Sequence, residues 1–332
     1  MRCGKLRFHQ APIMFALLLT YRMTGQDSRL KSPPPPPQPV PRMQVIPMPD
    51  YQASFQRDGL EVARYYFNPS LNRPFLFPVI GPSGRSLTRI GHPQDPDGHS
   101  HHNSVWIAHN DVNGVNFWAD RGGTGRIIHQ KIEQYVDGPD AASIASINAW
   151  TSNAGAVLLT EHRRITLHSL PDGELMLLID LLLEPKGETV TFGKTPFGLI
   201  GTRMAKTIGV YDGGGAIRNS EGSVDEPQVF WKQARWVDYS GPITPTASEG
   251  ITLFDHPANP NHPSYFHVRR DGWMGGSLTL NEAKSITRSE PLRVRYGLYV
   301  HRGIPGLPAI EAKWKEFAGA GLPALVKPRT AN

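Results

Sequence analysis

From Gln44 onward the chain alternates short apolar runs with clusters of turn residues. "FLFPVIG" stops at "GPSGR", "SIASINAW" stops at "TSNAG", and "GAVLLTEHRRITLH" runs into "SLPDGE". "LMLLIDLLLEP" and "KGETVTFG" follow, and "PLRVRYGLYVH" near the C-terminus alternates polar and apolar positions. Runs of this length, bounded by Pro-Asp-Gly and Gly-rich turns, predict the short strands of an antiparallel sandwich. "LMLLIDLLLEP" also suits a buried helix, because leucine is a good helix former. Its place between two turn signals, inside a series of strands, favours one long strand. A helix is predicted in "IPGLPAIEAKWKEFA", where Ala309 to Ala318 carries apolar and charged residues at helical spacing. No repeat of fixed period and no second linker interrupts the series. Residues 44–326 are therefore expected to form a single large all-β sandwich with few short helices.

Two segments precede that body. Arg2, Lys5 and Arg7 lead into "APIMFALLLTY", the charge and apolar run of a signal peptide or leader over residues 1–26. The run is too short, and too abruptly ended by Arg22, to span a membrane. Residues 27–43 hold "KSPPPPPQPVPR", whose proline density favours extended polyproline II and so predicts a linker. A periplasmic or secreted location is the expectation. Cys3 is the only cysteine, so the body has neither an internal disulfide nor a thiolate metal site. The formal net charge of +6 raises the question of an anionic partner. Arg163–Arg164, Arg269–Arg270 and the pair Arg293 and Arg295 make no long basic run, and read as scattered solvated charge. Nucleic acid is not an expected partner.

Candidate chemistry concentrates in "GHSHHNSVWIAHNDVNGVNFWAD", Gly98 to Asp120. "SVWIAHND" predicts a strand with Val105 and Ile107 on one side and Trp106 and Ala108 on the other. Asn113–Gly114 predicts a tight turn. A metal reading takes His99 and His101 as same-side ligands on an extended segment, with His102, for a divalent cation. An acid–base reading takes His101, His102 or His109 near a polar substrate, because imidazole titrates near neutrality. Asp111 or Glu161 would lie opposite, with Trp106 as a ring platform and Asn113 bonding hydroxyls. A third reading leaves the histidines bonding loop backbone.

A second constellation lies in "FDHPANPNHPSYFHVRRDGWMGG", with Asp255, His256, Asn259, His262 and His267. Turn chemistry explains its prolines and asparagines but not its histidines. Loops at one end of a sandwich converge, so the two histidine loops are expected to meet across one cleft, with His256 and His267 facing the first set. "GKTPFGLIGTRMA" and "ARWVDYSG" add Lys194, Arg203, Arg235, Trp236 and Asp238. Among these, arginine would clamp a carboxylate and Trp236 would stack on a ring.

"GHSHHNSVWIAHNDVNGVNFW", "KTPFGLIGTRMA", "NSEG", "ARWVDYSG", "FDHPANPNHPSYFHVR" and "LRVRYGLYVH" occur in that order between about residues 70 and 302. Together they resemble the PmoA-like family of bacterial secreted proteins of unassigned function. The resemblance implies an exported protein and a large β-sandwich (supersandwich) akin to the galactose-mutarotase type, a fold that usually acts on carbohydrate. It transfers no catalytic residue. The family label suggests a methane mono-oxygenase subunit, which needs several apolar spans that this body lacks. The leading expectation is an exported carbohydrate-active enzyme, a glycoside hydrolase, lyase or epimerase, using loop histidines as acid–base. Its rivals are a non-catalytic glycan-binding protein and a His-ligated metal-dependent oxidoreductase.

Overall fold

The computed structural model describes residues 39–91 and 99–326. The chain divides into two compact units, Met1–Val40 and Pro41–Asn332. The leader, most of the proline tract and the stretch 92–98 lie outside the described residues.

The second unit is an all-β sandwich of two large antiparallel sheets. Nine strands make the first, in the spatial order Met43–Met48, Gln52–Arg57, Leu60–Tyr66, Phe75–Val79, Val105–His109, Thr195–Arg203, Trp273–Thr279, Tyr265–Arg269 and Lys232–Gln233. Eight make the second, in the order Ala216–Asn219, Trp236–Thr244, Ala247–Asp255, Leu292–Arg302, Leu175–Pro185, Val157–Ser169, Ala141–Thr151 and Arg126–Val136. A two-stranded ribbon pairs Thr189–Phe192 with Lys284–Thr287. No helix among the described residues is long and apolar enough to cross a membrane.

The ambiguous leucine run is the strand Leu175–Pro185, and its composition follows from burial on both faces. Leu177, Ile179, Leu181 and Leu183 join the core between the sheets. Met176 and Leu178 point the other way, into a smaller cluster with Ile310 and Phe317 of the helix Leu307–Gly319. That helix is the predicted one, a turn longer than its periodicity shows. Among the described residues the other helices are single turns, Val210–Gly213, Glu226–Val229 and the 3-10 turn Pro171–Gly173.

The register at the centre of the nine-stranded sheet shapes its outer face. Trp106 stands opposite Gly201, Gly201 opposite Gly275, and Gly275 opposite His267. One step along, Arg203, Trp273 and Arg269 form the neighbouring row. Residues of such rows share a face because side chains alternate along a strand. The glycines leave room for indoles. A Cβ on Gly201 would lie 2.6 Å from the Trp106 ring, and one on Gly275 would lie 2.5 Å from the Trp273 ring and 2.6 Å from the Ile200 carbonyl. Trp106 and Trp273 therefore lie over the backbone, 5.4 Å apart at an interplanar angle of 25°.

Gly275→Ala is expected to destabilise the protein by about 1–3 kcal/mol, since neither ring nor carbonyl can yield freely. Urea unfolding measures the loss. A change under about 0.5 kcal/mol would mean that the indoles are not seated on the glycine row.

Candidate functional site

Above this floor lies a cleft of about 770 Å³. Its first wall is residues 99–104, which precede strand Val105–His109, together with the segment that follows that strand. Both are held by Arg73, whose side chain is buried. Its guanidinium donates to the His101 carbonyl at 3.1 Å, Asn103 Oδ1 at 2.6 Å, the Trp118 carbonyl at 2.8 Å and the Ala119 carbonyl at 3.1 Å. It also pairs with Asp120. Asn116 Oδ1 completes the loop by accepting from the Trp118 and Ala119 amides.

The second wall is the hairpin joining Tyr265–Arg269 to Trp273–Thr279. Gly272, at φ +94°, turns it, and the Tyr239 hydroxyl accepts from the Gly272 amide at 3.1 Å. Asp271 at the turn meets buried Arg203 at 2.8 Å and lies 3.5 Å from His99 Nδ1. Glu226 pairs with Arg269 at 2.7 Å and accepts from the Arg270 amide, while Arg270 pairs with Asp225. Among the described residues the carboxylates lining the cleft are Asp271 and Glu226, and both are engaged with arginine.

The histidines are in the opposite condition. His101 and His267 both line the cleft. Burial lowers His101 to about 4, the Arg73 cation adds to this, and Asp120 offsets part of it. Burial, then Arg269, lowers His267 to about 4, with Asp271 opposing. His102 is pushed lower still, by burial and by the neighbouring His101 and Arg203. These rings are neutral imidazoles near pH 7, able to accept a proton.

The first loop's three histidines do not converge as metal ligands. His99 and His102 stack at 4.5 Å with an interplanar angle of 6°, and His101 stands nearly perpendicular to both. In-plane lone pairs on stacked rings point past each other, and the chain turns at Ser100–His101 where extended backbone was expected. Among the described residues no group of three His, Cys, Asp or Glu side chains is placed to hold a metal ion.

The other expected residues divide. His99, His101, His102 and His267 come together, and Arg203 underpins them. Trp106 is not a platform, because it is buried beneath His102 and does not line the cleft. Trp118, Trp273 and Phe197 line the cleft instead. His109 is fully buried, accepting the Asp111 amide at Nδ1 and bonding Thr279 Oγ1 at 2.8 Å through Nε2. Since Thr279 donates to the Gly193 carbonyl, His109 Nε2 must be the donor, and the ring is a neutral tether. Asp111 and Asn113 build the Asn113–Gly114 turn, accepting from the Gly114 and Thr191 amides. Glu161 lies in the second sheet, bonded to Asn148, Trp150 and Arg163. Trp236 bonds Glu311 on that sheet's outer side, and Lys194 is exposed away from the cleft.

The two histidine loops do not meet as expected, for only His267 of the second lines the cleft. His256 packs edge-on to Phe317 of the helix, and Asp255 binds Asn259, His262 and the Ser264 amide. Those bonds close the loop on itself. Arg269 and Arg270, expected to be scattered charge, are cleft residues, and Arg163 is buried. The missed residues Asp271 and Trp273 had a signal: Asp-Gly between two alternating runs marks a hairpin, which sets Trp273 opposite Arg269.

A family model described as "Family of unknown function (DUF6807)" matches residues 52–315. No curated protein matches the sequence. Among solved structures, a candidate mutarotase (YeaD) from Salmonella typhimurium is similar at 9% identity and a TM-score of 0.34, covering 80% of this chain and 96% of that one. A candidate kojibiose phosphorylase from human microbiome is similar at 11% identity and a TM-score of 0.31. It covers 86% of this chain, which spans 38% of that one.

His109→Ala removes both of that ring's hydrogen bonds and leaves a cavity, an expected loss of about 2–4 kcal/mol. His101→Ala, in a partly open ring, is expected to cost under about 1 kcal/mol. Urea unfolding of both variants checks the contrast, and equal losses would remove the distinction between tether and cleft histidine.

Proposed function

Taking as premise that the chain belongs to the DUF6807 family, we propose that it is a carbohydrate-active protein whose cleft performs proton transfer on a sugar, as an epimerase or a lyase. The observation that carries this reading is the division of labour in the cleft. Two neutral imidazoles, His101 and His267, face it, while the carboxylates that line it among the described residues, Asp271 and Glu226, are held by arginine. Hydrolysis by a carboxylate pair needs one free nucleophile or base and one protonated acid. Asp271 and Glu226 suit neither role while ion-paired. One neutral imidazole can remove a proton from a carbon, and the imidazolium so formed can return that proton to the carbon or give it to a departing oxygen.

Trp118, Trp273 and Phe197 supply apolar surface for the C–H face of a sugar ring, and Asn110 and Asn116 supply amides for its hydroxyls. We read the PmoA-like resemblance as one of sequence and not of methane oxidation. An exported location fits the basic, apolar leader and the proline tract. A glycan-binding protein without turnover is the second reading, favoured by the same aromatic floor.

Incubating the protein with a panel of sugars in D2O tests the choice. Proton transfer at carbon is expected to wash deuterium into one sugar, or to give an unsaturated product, and His101→Ala or His267→Ala is expected to slow this by about 10²–10⁴-fold. Binding without exchange would favour the glycan-binding reading. Full exchange in both variants would remove the imidazoles from the mechanism.

A further inference from the structure

The aromatic floor does not stop at the cleft wall. Phe197 lies 5.4 Å from His267, and His267 lies 5.0 Å from Phe230 and 6.2 Å from Trp231, edge to face in both cases. Rings thus continue from a buried floor to an open rim. Trp231 stacks on Phe230 at 4.5 Å and 22°, and the Arg269 guanidinium covers Phe230 at 4.7 Å. One face of the indole is therefore covered by a neighbour. Trp231 is nonetheless 43% exposed, as expected of a flat ring with its other face open to solvent.

The backbone beneath it is equally unusual. Trp231 sits at φ +54°, where its backbone N–H donates to the Phe266 carbonyl at 2.8 Å. A bulky residue in the left-handed region is strained, and glycine or asparagine would occupy the position at less cost. Packing alone does not account for the residue, because Trp231 stays 43% exposed. Strain and exposure together mark a ring kept for something outside the fold.

Resting on the carbohydrate reading above, we propose that Trp231 is an accessory subsite, stacking a second sugar ring of an oligosaccharide whose first ring sits on Trp118, Trp273 and Phe197. The ligand class is then a neutral oligosaccharide and not a free monosaccharide. Neutrality follows from Arg269 beside the subsite, whose charge is taken by Glu226 at 2.7 Å. The His267 edge touching both Phe230 and Trp231 joins this subsite directly to the reacting groups.

The probes are glucose, galactose, xylose and N-acetylglucosamine, with their linked oligomers of two to five units, titrated by calorimetry into the full protein. Wild type is expected to bind one oligomer series about tenfold or more tightly than its monomer, the gain of one stacked ring. Trp231→Gly is expected to abolish that gain, leave monomer affinity unchanged, and keep or raise the melting temperature as the strained φ is relieved. Trp231→Phe is expected to retain most of the gain. Monomer and oligomer binding alike in wild type, or unchanged oligomer binding in Trp231→Gly, overturns the subsite while leaving the carbohydrate reading intact. Binding of no saccharide at any length overturns both. A Trp231→Gly protein that unfolds at lower temperature shows the indole to be structural, and overturns the subsite as well.

Discussion

A single buried guanidinium holds the candidate site together. Arg73 has no access to water, and a cation in that position is costly unless its donors are satisfied. Its two terminal nitrogens meet that requirement by bonding the backbone or side chains of His101, Asn103, Trp118, Ala119 and Asp120. These residues come from the two segments flanking strand Val105–His109, so both are fixed relative to the sheet by one group. Charge-assisted bonds of this kind are about twice as strong as neutral ones, and the planar fork imposes geometry as well as energy. Arg203 does the corresponding work on the other wall, tying strand Thr195–Arg203 to the Asp271 turn.

The chemistry of the cleft follows from these two cations. Each neutralises a carboxylate, Asp120 in one case and Asp271 in the other, and each lies near the histidines of the first loop. A neighbouring positive charge and a low-dielectric setting both disfavour imidazolium. The sheet register adds the second condition, an aromatic floor. The glycines at 201 and 275 let Trp106 and Trp273 lie close over the strands, and His102 covers the two indoles. Polar, neutral, proton-accepting groups beside apolar ring surface make a site suited to an uncharged polyhydroxyl ligand.

Much of the fold was legible because burial dictates period. The strands, the Asn113–Gly114 turn and the C-terminal helix stand where alternation, turn chemistry and 3.6-residue spacing put them. The leucine run yielded once its neighbours showed it to be a strand, and its two buried faces explain why it lacks alternation. The site was only partly legible. His99, His101, His102 and His267, which the structure places in the cleft, stand out in the sequence as unexplained histidines. His109 does not join them in the cleft, and its odd spacing from Trp106 already places it on the opposite face of the strand. Glu161 and His256 lie on the other sheet or beneath the helix, a matter of tertiary pairing that local sequence does not encode. Arg73, in "NRPF", carried no local signal at all, for its partners lie 28 to 47 residues away.

The central claim is that His101 and His267 are neutral bases held so by burial and by neighbouring arginine. Nitrogen-15 NMR of the imidazoles across a pH titration measures it directly. In the folded protein both rings are expected to titrate near 4, below the value of about 6.5 for an unfolded histidine. The unfolded chain then binds more protons between those values, so stability is full above about pH 6.5 and falls as the pH drops toward 4. Rings that titrate at or above 6.5 in the folded state would contradict the account, for burial and the neighbouring arginines would then not be disfavouring imidazolium.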